Sequence, residues 1–380
     1  MPSDRTGVVT ATHHRWLTQL TDLPAVAGRE ELPVGWVRSW AARRPNVRFR
    51  LDAAGNILLR STRRSRRRPL LLTAHLDHPG FVIGEAVGRR RHAFEFRGGV
   101  LNPYFEDAAI EIFASGARRR AIVTDLMVDG RHRTGTVQLR GSGPDVRPGD
   151  LGRWALPVRS LGIKSGRLQA HACDDLAGVA AVLAAFDGLR EKAPHVGVLL
   201  TRAEEVGFVG AIAAGNLGSI PDGAELICVE MSRSFADSPI GAGPVVRVGD
   251  ASSVFDASLT NRAAALAGRL AARPAGFAWQ RKLMTGGSCE ATAFGGMGYA
   301  ATCLCLPLGN YHNMAEIDAV RSGARPARVR PEIISLADFD GLVALLKRIG
   351  LAEAGDGVDA WELTGSEWVL LGVDRSADQS

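Results

Sequence analysis

Glu204 and Glu205 stand side by side in TRAEEVGFVGA, directly after the apolar run Val196 to Leu200 and before a Gly- and Ala-rich stretch. Two adjacent carboxylates at the end of a buried strand are costly unless cations or protons compensate them. That cost points to a metal site. Side chains alternate along a strand, so with a bend at its end one glutamate can bind metal while the other faces a water. One residue would then be a ligand and its neighbour a base.

The same pattern recurs along the chain. His75 and Asp77, Asp174 and Asp175, Glu230, and His312 each follow an apolar run. A lone histidine at a strand end is usually a hydrogen-bonded structural residue, and Asp174 or Asp175 could simply cap the helix that follows. Recurrence at what reads as five strand ends outweighs those readings. Imidazole and carboxylate ligands together suit zinc, cobalt or manganese, and a paired site needs a ligand that bridges two ions.

An α/β sheet would bring these segments together, because the carboxyl ends of its neighbouring strands open onto one crevice. Pro69 to Ala74, HVGVLL, ELICVE (a strand ending at Glu230) and Tyr299 to Leu306 read as buried strands. LAGVAAVLAAFDGL, Gly210 to Ala214, Ala257 to Ala272 and Asp338 to Arg348 read as helices. The alternation predicts an α/β fold with a central sheet flanked by helices on both faces. An amphipathic stretch at Pro33 to Ala42 and the DAAGN turn before Ile57 to Leu59 precede it. Residues 84–165 have a different texture, with AFEFRGG, AAIEIFA, RAIVTDLMV and GTVQLRG as short strands between turns, and VRPGDLGRWAL as a returning loop. They predict a small β-barrel or sandwich inserted into a catalytic domain formed by 1–83 and 166–380. After Ser366, WVLLGV reads as a candidate edge strand.

Composition sets outer limits. The 380 residues are 46% hydrophobic and 23% charged, with a formal net charge of +6, so the chain is globular rather than disordered. Basic clusters occur at Arg63 to Arg68, Arg89 to Arg91 and Arg118 to Arg120. They lack aromatic interleaving or a recognition helix, so no specific nucleic acid is expected. Five cysteines without CxxC spacing predict no disulfide framework. With no signal-like or membrane-length apolar segment in the sequence, a cytoplasmic location and no membrane partner are expected. There is neither GxGxxG nor GxxxxGK[ST], so Gly207 and Gly210 read as turn or helix-packing residues.

AHLDHPGF, HACDDLAG, AEEVGFVGA, CVEMS and NYHNMAE, in that order, resemble the successive metal-site motifs of the co-catalytic zinc aminopeptidases, in particular the glutamyl and tetrahedral aminopeptidases of peptidase family M42. The resemblance runs from about Leu20 to Gly350. It implies two divalent metal ions, zinc first and cobalt or manganese as alternatives. His75 and Glu230 would hold one ion, Glu205 and His312 the other, and Asp174 would bridge both. Asp77 would orient His75, Asp175 would support the bridge, and Glu204 would be the general base. The family often has an unusual peptide bond between the paired aspartates. It also forms homo-oligomers, so a dimer or a dodecamer is expected.

Two positions depart from that pattern. Glu230 stands where the subgroup commonly has aspartate, and GGSCEATAF places Cys289 where the subgroup has aspartate, followed by Glu290. Cys289 and Glu290 are candidates for the substrate pocket. The expected function is a metal-dependent aminopeptidase acting on short peptides. The alternatives are a related metal-dependent carboxypeptidase or amide deacylase, and a catalytically inactive peptidase-fold binding or assembly protein.

Overall fold

Strands whose residues are apolar on both faces can only sit inside a sheet covered on both sides, and these form the centre of the molecule. The computed structural model describes residues 9–273 and 276–352, so the expected strand in WVLLGV lies outside the described residues. In chain order the strands are β1 Val47–Leu51, β2 Ile57–Ser61, β3 Leu70–His75, β4 Gly80–Gly88, β5 Arg91–Arg97, β6 Ala109–Ala114, β7 Ala117–Asp129, β8 His132–Leu139 and β9 Leu151–Trp154. They continue as β10 Gly162–Lys164, β11 Arg167–Ala170, β12 Val196–Thr201, β13 Glu225–Arg233, β14 Val245–Gly249, β15 Gln280–Leu283, β16 Ala300–Leu308 and β17 Glu332–Ser335. The helices are α1 Ala11–Leu20, α2 Glu31–Ala42, α3 Leu176–Leu189, α4 Val209–Asn216, α5 Ala257–Ala271, α6 Glu290–Gly296, α7 Ile317–Arg321 and α8 Leu336–Leu351.

The main sheet has eight strands in the order β1-β2-β12-β3-β13-β16-β14-β15. Its inner four, β12, β3, β13 and β16, run parallel. β3 and β12 are buried at every position. Helix α3 is nearly all small apolar residues and lies in the core with α1, α5 and α8, while residues of α4 and α6 cover the other face. This is the α/β architecture expected from the alternation of runs.

The inserted module is a closed barrel in the order β4-β5-β8-β7-β6-β9, not a sandwich. Closure removes the exposed sheet edges that so small a module would otherwise present. β9 lies inside the segment expected to be a returning loop: LGRW is a four-residue strand that closes the barrel by pairing with β4 and β6. The core is aromatic, with Phe81 edge-on to Trp154 at 4.9 Å and to Phe96 at 4.9 Å. Met314, Ile317 and Val320, which follow β16, pack into the same core. The barrel is thereby fixed to the loop that carries His312.

Two expectations about strand ends change. β13 does not end at Glu230 but continues to Arg233, so Glu230 lies inside the strand. Asp174 and Asp175 follow β11, which belongs to a separate three-stranded sheet, β10-β11-β17, rather than to the central one.

Candidate metal centre

Register brings the acidic and imidazole groups together. β12 lies beside β3 with Thr201 opposite His75, so the glutamate pair leaves the sheet next to that histidine. β13 flanks β3 on its other side, with Cys228 opposite Thr73, and carries Glu230 two residues further on. The peptide bond between Asp174 and Asp175 is cis. Asp175 occupies the N-cap position of α3, yet its side chain makes no cap bond. Its Oδ2 instead accepts the backbone N–H of His75 at 3.1 Å. Gly178 clears the space beneath it: a Cβ there would lie 2.1 Å from Asp175 Oδ1.

Asp174 sits at the centre with one carboxylate oxygen toward each histidine. His75 Nε2 is 3.4 Å from Oδ1 and His312 Nε2 is 3.4 Å from Oδ2. Glu230 Oε2 lies 3.8 Å from His75 Nε2, and Glu205 Oε1 lies 3.0 Å from His312 Nε2. Two groups with metal-ligand geometry result, His75–Asp174–Glu230 and Asp174–Glu205–His312, with Asp174 common to both. A third grouping joins His75 with Glu204 and Glu205, and Glu204 Oε2 is 4.0 Å from His75 Nε2.

The residues fit a cation. Asp174 Oδ1, Glu205 Oε1 and His312 Nε2 are buried without a hydrogen-bond partner among the described residues, which is costly unless an ion fills the gap. The imidazoles are set up for the same purpose. His75 Nδ1 is 3.1 Å from the Asp77 carbonyl and His312 Nδ1 is 2.6 Å from the Gly99 carbonyl. A carbonyl only accepts, so each Nδ1 carries a proton and each Nε2 faces the cluster.

Backbone clamps hold the ligands in place. The carboxylate of Asp77 accepts the N–H groups of Glu204 at 2.9 Å and Glu205 at 3.0 Å. Its Oδ1 is 3.5 Å from His75 Nδ1, so the contact that orients His75 is the Asp77 carbonyl, and the carboxylate instead fixes the glutamate pair. Ala203, just before that pair, has φ of +53°, a sparsely populated region for a side chain with a Cβ. Buried Glu30 supports it by accepting the Ala203 N–H at 3.0 Å while pairing with Arg202 at 2.6 Å. Glu332, fully buried in β17, accepts the N–H of Asp174 at 3.0 Å through one oxygen and that of His312 at 2.8 Å through the other. Sequence reading passed over Glu30 and Glu332. Neither follows a long apolar run, and only the tertiary fold reveals that Glu332 spans two distant motifs.

Protonation follows from crowding. Burial, together with the charges of Glu205, Asp77 and Glu290, pushes the Glu204 carboxyl well above its usual range, against the pull of His75. Glu230 rises for the same first reason, burial, with Glu204 adding to it. Asp174 moves the other way: burial opposes ionisation, but the imidazoles of His312 and His75, one beside each oxygen, hold it below the usual carboxylate range. The arrangement thus separates a carboxylate that stays charged, Asp174, from one primed to accept a proton, Glu204.

A cleft of about 580 Å³ opens over the cluster. Glu204, Met231, Arg247, Ser288, Tyr311 and Arg321 are among its walls. Cys289 and Glu290 are not: both are buried behind Ser288, and the Cys289 N–H donates to Asp250. Burial raises the Cys289 thiol, but a hydrogen bond with Cys303 and the Arg247 guanidinium bring it below the usual value. Burial pushes Glu290 up to about 7. Gly207 has φ of +115°, and Gly210 packs so closely on Arg202 that a Cβ would meet its backbone at 2.4 Å, so both are turn and packing residues.

Comparison with known proteins gives the class first: the chain is a hydrolase acting on peptide bonds. It belongs to the M42 glutamyl aminopeptidase family, which matches over residues 115–325, more than half of its length. Solved structures share the fold at low identity. A TET aminopeptidase from the marine sediment archaeon Thaumarchaeota archaeon SCGC AB-539-E09 superposes with a TM-score of 0.74 at 16% identity, covering 91% of this chain and 99% of that one. An aminopeptidase of the archaeon Desulfurococcus kamchatkensis gives 0.70 at 20%, covering 90% and 95%. The Pyrococcus horikoshii TET1 peptidase, described as assembling into a tetrahedron or a large octahedral shell, gives 0.69 at 19%, covering 90% and 100%. No curated protein matches the sequence. Among the described residues, no helix is long and apolar enough to cross a membrane.

Proposed function

We propose that the protein is a metal-dependent aminopeptidase that removes N-terminal residues from short peptides at a dinuclear site. The observation that carries this reading is the position of Asp174, whose two oxygens each face a different histidine at 3.4 Å. His75 and Glu230 would hold one divalent ion and Glu205 and His312 the other, with Asp174 between them. Two such ions, zinc, cobalt or manganese, would supply Lewis acidity for the peptide carbonyl and acidify water. Glu204 reaches into the cleft, belongs to neither of the two ligand groups that share Asp174, and has its proton affinity raised by burial. It takes the proton from the attacking water and returns it to the departing amine. Asp77 holds the N–H groups of Glu204 and Glu205, so base and ligand keep a fixed separation.

TET relatives are described as dodecamers or shells, and we infer that this chain also forms a homo-oligomer. Mass photometry of the purified protein tests it, and a monomer at micromolar concentration would refute it.

The activity test is turnover of peptides with free, acetylated and C-terminally amidated ends by protein loaded with zinc, cobalt or manganese. Cleavage should require a free N-terminus, survive C-terminal amidation and stop with chelator. Glu204→Gln should lower kcat by roughly 10²–10⁴-fold while retaining metal. Stoichiometric metal without turnover across the panel would refute the proposal, and full activity in Glu204→Gln would remove that residue as base.

A further inference from the structure

At the opposite end of the sheet from the metal cluster, where β3 and β12 begin, a second concavity of about 340 Å³ is lined by cationic and hydroxyl side chains. Arg48, Arg60, Arg63, Arg64, Arg67 and His195 face it, with no carboxylate among the described residues of its walls. Register makes the arrangement costly. Arg48 and Arg60 are direct partners across the β1–β2 hairpin, and like charges in that position destabilise a sheet. Neither forms an ion pair with a described residue. Glu191, whose carbonyl meets Arg63, has its carboxylate engaged by Asn46 at 2.8 Å and by Arg190 at 3.8 Å. Burial and the charge of Arg50 already lower the proton affinity of Arg60.

Hydroxyls and an imidazole complete the polar walls. His195 Nδ1 is buried and has no hydrogen-bond partner among the described residues, and burial with the charge of Arg67 lowers the pKa of its ring. Ser61 Oγ accepts the Arg63 N–H at 3.2 Å and Ser65 Oγ accepts the Arg67 N–H at 3.1 Å, which leaves their O–H groups free to donate outward. Arg67 is tethered to the Ala352 carbonyl and Arg63 to the Glu191 carbonyl, so the rim of the concavity is braced on two sides.

We propose that this concavity is an anion site for an oligophosphate group, either free or as the phosphate tail of a nucleotide. Guanidinium forks and hydroxyl donors match phosphate oxygens. A carboxylate ligand brings one charge for each group. A di- or triphosphate brings several within the same small volume, as a cluster built around a facing Arg48–Arg60 pair requires. The site is separate from the peptide cleft. It lies at the starts of the two strands whose far ends carry His75 and Glu204–Glu205, so its ligand stabilises the edge of the sheet and does not compete with peptide.

The test is equilibrium dialysis of the intact, metal-loaded protein against radiolabelled tripolyphosphate at 150 mM NaCl. One tripolyphosphate should bind per subunit, and Arg48→Gln/Arg60→Gln should weaken it at least tenfold. Arg89→Gln/Arg131→Gln, which removes the same charge from exposed barrel residues, should leave binding unchanged. Circular dichroism of both variants confirms that they fold, since neither pair lies in the core. ATP binding as tightly as tripolyphosphate, with adenosine silent, identifies the phosphate group alone as the ligand; ATP binding much more tightly identifies a nucleotide. The proposal is overturned by no saturable binding at 150 mM NaCl. It is equally overturned if the two double variants weaken binding alike, since that reports net charge, or if Arg48→Gln/Arg60→Gln leaves binding intact, since the phosphate is then held without the facing arginine pair.

Discussion

Replacing Glu332 with glutamine separates a structural account of the site from a list of ligands. The carboxylate is fully buried, and its two oxygens accept N–H groups from Asp174 at 3.0 Å and His312 at 2.8 Å. Burial raises its pKa, as does the charge of Asp174, whereas His312 and the two N–H bonds oppose that rise. Glutamine keeps one acceptor oxygen and turns an NH₂ group toward the other N–H. One charge-assisted bond is lost and one buried donor is left facing a donor, at about 1–3 kcal/mol each, so the expected destabilisation is roughly 2–6 kcal/mol. Because the two N–H groups belong to the proposed bridging ligand and to a proposed terminal ligand, metal affinity should fall about 10–100-fold. Urea denaturation at pH 7 measures the first effect, and competition with a chromophoric chelator measures the second. Stability within about 0.5 kcal/mol of the parent together with unchanged metal affinity would refute the clamp.

Two further outcomes follow from protonation. Glu290 has its carboxyl pushed up to about 7, chiefly by burial, so the folded state binds the proton more tightly than the unfolded chain. Its contribution to stability is therefore lost as pH rises from about 4.5 to about 7 and is constant above that, at a cost of about 3 kcal/mol. In metal-free protein, Glu290→Gln should gain stability relative to the parent between pH 5 and pH 8, measured by urea denaturation; a pH-independent difference would contradict the burial argument. Asp22 is the opposite case: burial opposes its ionisation, yet His171 and Arg153 pull it down to about 2. Its stabilisation is present above about pH 4 and lost as pH falls toward about 2. Since its side chain is 53% exposed, the loss should be only about 1 kcal/mol, absent in Asp22→Asn. Acid titration of the two proteins followed by circular dichroism checks this, and superimposable curves would contradict it.

What the sequence disclosed depended on whether a residue's role was local. Buried runs such as Leu70–His75 and Val196–Thr201 announced inner strands because nothing polar interrupts them. The polar residues that follow them stood out for the same reason, so His75 and the Glu204–Glu205 pair were legible. β9 was missed because LGRW is short, follows PGD, and becomes a strand only by closing the barrel between β4 and β6. β14 and β15 do not stand out either; they are the last two strands at one side of the sheet, and VVRVG and QRKL are short and interrupted by arginine or lysine. Glu332 and Glu30 stayed hidden because their partners are backbone N–H groups supplied by distant segments. Cys289 and Glu290, expected at a pocket, are turned into the core instead, where Asp250 accepts the Cys289 N–H and anchors that turn.

The central claim is that Asp174 stands between two metal ions. Anomalous diffraction from crystals of the zinc-loaded protein tests it directly. Two peaks about 3.5–4 Å apart, one beside His75 and Glu230 and one beside Glu205 and His312, with an Asp174 oxygen on each, is the expected result. A single peak, or two peaks that do not share Asp174, would contradict it.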